Sequence, residues 1–267
     1  MKLSGTSNFN LSASFVTLKD DEWLAKQRIA GKVAGQTLSL LESLVKDKTT
    51  KSLLELDKIA DGFIRENGCT PTFLGYHGFS GSVCISVNEQ LVHGVPTDYT
   101  LKEGDAVSFD LGATYEGAIG DTAITCIFGE PKSDDHVKLI AATKEALQCG
   151  IEVARVGNRI GAIGNAIFKS ARDKGYRVIE KYGGHGISEN TPHDQPFVSN
   201  RALPTDGIVI QPGLTIAIEP MLVPFNASIE TKVGSDGWTV YTPGFIGAHE
   251  EHTIFIHEDR TEIITAR

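Results

Sequence analysis

Two stretches of this sequence end in an acid six residues after a glycine: Gly104-Asp105-Ala106-Val107-Ser108-Phe109-Asp110 and Gly213-Leu214-Thr215-Ile216-Ala217-Ile218-Glu219. Side chains alternate across a strand, so Ala106, Ser108 and Asp110 share one face, as do Thr215, Ala217 and Glu219. Each face is small and polar and ends in a carboxylate. A buried acid is costly unless its charge is compensated, and two that face each other need a cation. Further acids open later strands, in Gly120-Asp121-Thr122-Ala123-Ile124 and Glu250-Glu251-His252-Thr253-Ile254, and a histidine stands among glycines in Gly183-Gly184-His185-Gly186. Four ionised acids and a neutral imidazole carry a charge of -4. Two divalent ions would bring that near zero, and one would not. Oxygen-rich ligation with a single nitrogen disfavours structural zinc and suits Mn, Fe, Co or Zn in open, hydrolytic coordination. Two such ions roughly 3.5 to 4 Å apart can activate water and polarise a carbonyl.

The elements that must carry these residues occur twice. Trp23, Ile29, Val33, Leu40, Leu41, Leu44 and Val45 recur at helical spacing, and a second run holds Leu53, Leu56, Ile59, Ala60, Phe63 and Ile64 before Gly68 stops it. A later pair covers Val137 to Val153 and then Ile160, Ile163, Ile167 and Ala171, ending at Gly175. Ile64-Arg65-Glu66-Asn67-Gly68 reads against Ala171-Arg172-Asp173-Lys174-Gly175, and His77-Gly78 against His185-Gly186. Glu219 follows Asp110 by 109 positions. A period of that length exceeds the roughly 20 to 50 residues of a solenoid repeat and fits a duplicated half-domain. The halves would run from about 20 to 130 and from 131 to 267, with a pseudo-twofold axis between Asp110 and Glu219. The opposite strand faces, Val107, Phe109 and Leu111 in one copy and Leu214, Ile216 and Ile218 in the other, would pack under helices.

Composition narrows the class. Of 267 residues, 40% are hydrophobic and 22% charged, the balance of a globular unit with a sizeable core. Residues 1–16 are polar and lack periodicity, so a tail precedes one domain over 17–267. No apolar run reaches the roughly 20 residues of a membrane helix, and the start lacks a secretory signal, so a cytoplasmic location without membrane contact is expected. A net charge of -9 argues against direct nucleic-acid binding. Cys69, Cys84, Cys126 and Cys149 form no CxxC pair and read as reduced, buried thiols.

The motifs Leu74-Gly75-Tyr76-His77-Gly78-Phe79, Val83-Cys84-Ile85-Ser86-Val87-Asn88, Val92-His93-Gly94-Val95-Pro96, Gly183-Gly184-His185-Gly186-Ile187, Ile218-Glu219-Pro220 and Glu251-His252-Thr253 resemble those of type I methionine aminopeptidases. The resemblance runs from about Lys19 to the C-terminus. It implies the α+β pita-bread fold, a curved antiparallel sheet covered by two helix pairs. It also implies two divalent metal ions, Co, Mn, Fe or Zn. Asp110 would chelate one ion and His185 with Glu219 the other, while Asp121 and Glu251 bridge. Glu251 is chosen over Glu250 because it directly precedes His-Thr. Glu250 and Asp105 are then expected to be surface acids. The resemblance further implies Glu219 as proton shuttle, His93 beside the scissile amide and His193 as donor to the carbonyl oxygen. Phe73, Tyr76, Phe79, Cys84 and Trp238 would line the pocket for the first side chain, an apolar wall that suits a thioether. The implied substrate is a peptide or nascent chain beginning with Met and carrying a small second residue. Transient association with the ribosome and a monomeric state are implied likewise.

Two departures bear on this pattern. Ser188-Glu189-Asn190-Thr191-Pro192 has Pro192 where the family has a bulky aromatic, and it puts His193 eight residues after His185, one more than the family spacing. Phe73 is larger than the residue usual at its position. Relatives of the prolidase and aminopeptidase P type would share the ligand kinds but carry an extra N-terminal domain, whereas about 20 residues precede the first helical run here. A metal-free binding protein on the same fold would have lost ligands, and all five are present.

Overall fold

The computed structural model describes residues 16–267, so the expected polar tail lies, but for its last residue, outside the described residues. The first half begins with α1 (Asp21–Lys46) and α2 (Leu53–Glu66), then β1 (Thr70–Pro71) and a 3-10 turn at Tyr76–Gly78. It continues with β2 (Cys84–Val87), β3 (Gln90–Val92), β4 (Ala106–Tyr115) and β5 (Ala118–Ile127). The second half begins with α3 (Asp134–Val153) and α4 (Ile160–Asp173), followed by β6 (Tyr176–Val178), β7 (Gly183–Ser188) and β8 (Thr191–Ser199). β9 (Thr215–Ile218), β10 (Met221–Pro224), β11 (Lys232–Val233), β12 (Val240–Tyr241), β13 (Ala248–His249), β14 (Glu251–Ile256) and β15 (Thr261–Ile263) complete it.

Local chemistry accounts for the helix ends. Asp20 and Ser133 cap α1 and α3 by accepting from the backbone N–H groups of Trp23 (2.9 Å) and Asp135 (3.1 Å). Ser52 and Glu55 stand at capping-box spacing at the start of α2, where Ser52 accepts from Glu55 N at 3.4 Å. Past the ends of α2 and α4, Gly68 and Gly175 adopt positive φ of 77° and 80°, as the glycine stops in the sequence require.

The main sheet is antiparallel, with strand order β1-β4-β5-β14-β9-β7-β8, β2 beside β4 and β15 beside β14. This order shows the duplication. β4 and β5 of the first half correspond to β9 and β14 of the second, so the pseudo-twofold axis passes between β5 and β14 and relates Asp110 to Glu219. Helices α2 and α4 have 14 residues each and start 107 positions apart. Val107, Phe109 and Leu111 pack with residues of α1 and α2 in one core, and Leu214, Ile216 and Ile218 pack with α3 and α4 in the other. Buried Gln27 of α1 ties the halves together: its Nε2 donates to Ile119 O on β5, and its Oε1 accepts from Thr215 Oγ1 on β9.

Three expectations are corrected. The His77-Gly78 and His185-Gly186 match is not structural, because His77 sits in the 3-10 turn at φ 47° while His185 lies inside β7. Asp105 and Glu250 are not surface acids, being 1% and 0% exposed. Asp105 accepts from Asn88, Tyr99, Lys102 N and Lys132, and so fixes the turn into β4. Glu250 faces Lys144 at 3.9 Å and Arg267 at 3.4 Å, and burial raises its carboxyl to about 7. Neighbours in an extended chain point to opposite faces, so of two adjacent acids Glu251 reaches the polar face and Glu250 the helix side.

Candidate metal centre

The register of the sheet lines up one row of side chains from four adjacent strands. Cys84 of β2 is opposite Asp110 of β4, Asp110 is opposite Ala123 of β5, and Ala123 is opposite Glu251 of β14. Asp121 lies two residues from Ala123 on β5 and therefore on the same face. Glu219 directly follows β9, and His185 projects from β7, which pairs with β9. All five metal ligands expected from the sequence thus meet on one face. Ligand atoms of Asp110, Asp121 and Glu251 fall within 4.8 Å of one another, and so do those of His185, Glu219 and Glu251. The two triads share Glu251. His185 Nε2 is 3.5 Å from Glu219 Oε1 and 3.9 Å from Asp121 Oδ2.

This donor set fits two cations. Burial, then the charges of Asp121 and Glu219, pushes the Asp110 carboxyl well above the carboxylate range, and burial with the same two charges does so for Glu251. Burial raises Asp121 to about 6, against the opposing influence of His185. Asp121 Oδ1 is buried with no hydrogen-bond partner among the described residues. Packed this way, Asp110 and Glu251 ionise at neutral pH only beside added positive charge, which two divalent ions held by the two triads would supply.

A cavity of about 250 Å³ opens over the row, and every catalytic and pocket residue expected from the sequence lines it. Phe73, Phe79 and Cys84 form an apolar cluster with Val95 and Trp238. Burial, then the charge of Asp110, raises the Cys84 thiol well above its usual value, so this wall stays neutral. His93 follows β3 with φ 57°, a conformation rare for a side-chain-bearing residue. The next residue fits tightly: Gly94 packs so closely on β2 that a Cβ there would lie 2.2 Å from Ile85 O. Burial lowers the His93 pKa. His193 stands 4.5 Å from the His185 ring and stacks on Phe73 at 6.3 Å and 14° between planes, with Nδ1 3.3 Å from Tyr76 Oη. Burial, then His185, lowers its pKa to about 4, so it is neutral at pH 7. The extra residue before His193 therefore does not remove it from the site.

One neighbour escaped the sequence reading. His249, 2% exposed, places Nε2 3.4 Å from Glu219 Oε2, and neither of its ring nitrogens has a hydrogen-bond partner among the described residues. Burial pushes the Glu219 carboxyl up, but His249 and His185 outweigh it and the net shift is downward. The available signal was alternation, since His249 is two residues before Glu251. A larger cavity of about 630 Å³ lies elsewhere, but its lysines, Lys132 and Lys174, are paired with Asp105 and Glu145.

Comparison with known proteins agrees with this geometry. Residues 25–258 match metallopeptidase family M24. The chain is 40% identical to a methionine aminopeptidase of Mycoplasma capricolum, covering 94% of this chain and 98% of that protein. It is 39% identical to methionine aminopeptidase 1 of Bacillus subtilis, covering 94% and 99%. Its fold is similar to the crystal structure of a methionine aminopeptidase from Thermotoga maritima, with TM-score 0.89, 33% identity and coverage of 94% and 100%. A prolidase from Pyrococcus furiosus shares the fold with TM-score 0.74 at 22% identity, and this chain covers 65% of it.

Proposed function

The chain belongs to metallopeptidase family M24, and on that premise we propose that it removes N-terminal methionine by hydrolysing the first peptide bond of chains whose second residue is small. The reading rests on one observation above all: two triads of mostly buried ligands that share Glu251, at the floor of an apolar pocket. When bound, the two divalent ions supply Lewis acidity toward water and toward the amide carbonyl.

The protein's own residues do the rest. Phe73, Tyr76, Phe79, Cys84 and Trp238 bind the methionine side chain by apolar contact and keep water out of the pocket. His93, neutral and next to the tightly packed Gly94, orients the scissile amide. His193 is neutral as well. With the Tyr76 hydroxyl donating to Nδ1, the ring proton lies on Nε2, which donates to the carbonyl oxygen as charge develops there. Glu219 accepts the proton of the attacking water and delivers it to the leaving amine. Asp110, Asp121, His185 and Glu251 with Glu219 hold the ions. We propose likewise that its substrates include nascent chains in the cytoplasm, and that it acts as a monomer in transient association with the ribosome.

The test is direct. Purified protein supplied with Mn, Co or Fe should release methionine from a Met-Ala peptide. Chelation or Asp110→Asn should reduce the rate by at least ~10²-fold, and metal analysis of Asp110→Asn should show fewer ions per chain. Turnover of Xaa-Pro peptides with none of Met-Ala would reverse the assignment.

A further inference from the structure

His193 is carried by a hairpin whose ladder is broken where the histidine stands. β7 and β8 pair Gly184 with Val198, Gly186 with Asp194 and Ser188 with Thr191, with register shifts in both intervals. Between Asp194 and Thr191, β8 has one residue more than β7, and Pro192 and His193 occupy that interval. The surplus residue in the spacing from His185 to His193 is thus absorbed as a bulge, which re-aims side chains but gives up ladder hydrogen bonds. Proline removes another donor at the same point. Backbone pairing alone therefore does not fix His193 over the metal row.

We propose that a strap across this hairpin, Lys19–Ser188–Asp194, is the positioning device for His193. Ser188 Oγ donates to Asp194 Oδ2 and closes the bulge from the last residue of β7 to the residue after His193. Asp194 Oδ1 accepts from Gln195 N at 2.7 Å, which holds the backbone beyond the bulge. Lys19 Nζ donates to Ser188 Oγ at 3.3 Å from a segment outside both strands. That lysine is itself held: its backbone N–H donates to Gly213 O at 2.7 Å, and its ammonium lies 4.8 Å from the Trp23 ring. At the hairpin tip, Asn190 N donates to Gly117 O at 2.9 Å, docking it on the β4–β5 turn of the other half. The strap thus ties the entry to α1 to the bulge that aims His193. It touches neither substrate nor metal.

The inference rests on the proposed role of His193, and a double-mutant cycle separates the two. In metal-loaded enzyme with a Met-Ala peptide, Ser188→Ala and Asp194→Ala are each expected to lower kcat about tenfold, with KM within about twofold, as displacement of a positioned donor does. Both should bind the same number of metal ions per chain as the wild type. In a His193→Ala background, itself slower by ~10²-fold, adding Asp194→Ala should cost nothing further, because the group it positions is gone. Ser188→Thr should restore the rate of Ser188→Ala, and Lys19→Arg should retain activity that Lys19→Met loses. Equal losses from Asp194→Ala with and without His193, or wild-type kcat in both strap variants, would overturn the strap alone. A wild-type rate in His193→Ala would overturn the role of the histidine, and the strap with it. Ser188→Ala removes only a hydroxyl, so the cycle can be completed with it if Asp194→Ala does not fold.

Discussion

Removing the divalent ions with a chelator is expected to yield a protein that loses stability relative to its metal-loaded form as the pH rises from 5 to 8. Without cations, burial and mutual repulsion hold the Asp110 and Glu251 carboxyls well above their ordinary range and burial holds Asp121 at about 6. A carboxyl with a higher pKa folded than unfolded binds its proton more tightly when folded. Its contribution to stability is therefore complete below the unfolded value and is lost as the pH climbs through the folded one. For Asp121, a rise from 3.8 to about 6 amounts to ~3 kcal/mol over the whole range, of which ~1.4 kcal/mol remains to be lost above pH 5. At roughly 2–4 °C per kcal/mol for a chain of this size, Asp121 alone lowers Tm by ~3–6 °C between pH 5 and 8. Asp110 and Glu251 add to this in the same direction. Glu250, raised to about 7, has the same sign, while His252, lowered to about 3, has the opposite one. Neither belongs to the triads, so their contributions cancel between loaded and chelated protein. The observable is the gap in Tm between the two forms, followed by circular dichroism at pH 5, 6, 7 and 8. It should widen with pH. A gap that stays constant or narrows toward pH 8 would refute the account of the acids as mutually repelling ligands.

Phe73, 6% exposed and stacked on His193, limits the cavity on the side of the first side chain. Phe73→Ala should therefore lower the preference for methionine over leucine or phenylalanine at that position by about tenfold in kcat/KM, measured on matched peptides. Gly120 of β5 meets α1 backbone to backbone, since a Cβ there would lie 2.4 Å from Gly31 Cα, whereas Gly62 in α2 has nothing within 4 Å of its Cβ position. Gly120→Ala should cost ~1–3 kcal/mol and Gly62→Ala should add ~0.5–1 kcal/mol, opposite shifts in Tm read on the same instrument.

What could be read from the sequence was what repeats or alternates. The acid-bearing faces of β4 and β9, the helices ended by Gly68 and Gly175, and the apolar faces beneath α1 to α4 all follow from local periodicity. Features that depend on which strand lies beside which did not. The row from Cys84 through Asp110 and Ala123 to Glu251 exists only in the register. His249 comes from a strand that pairs with β10 rather than with its sequence neighbour β14, so its place beside Glu219 depended on strand pairing as well as on alternation from Glu251. Asp105 and Glu250 looked like surface acids because charge is usually exposed, and only tertiary partners such as Tyr99, Lys132, Lys144 and Arg267 make their burial affordable. The bulge at Pro192–His193 was visible as a surplus residue in the spacing, but its consequence for the histidine was not.

Duplication and divergence divide the labour in this site. The pseudo-twofold axis relates β4 to β9 and β5 to β14, so two copies of one half-domain bring Asp110 and Asp121 against Glu219 and Glu251 and produce a cradle of four acids. A symmetric cradle holds cations but has no means of telling one side of a substrate from the other. Asymmetry enters through the strands that flank it. Beside β4 lies β2, which brings Cys84 and, with Phe73 and Phe79, an apolar wall. Beside β9 lies β7, which brings the one nitrogen ligand, His185, and through its hairpin His193. In the proposed reaction, a side chain bound against the first wall would leave its amide over the shared Glu251 and its carbonyl toward the histidines of the second. The difference between the flanking strands, β2 beside β4 and β7 beside β9, gives the doubled metal cradle a direction.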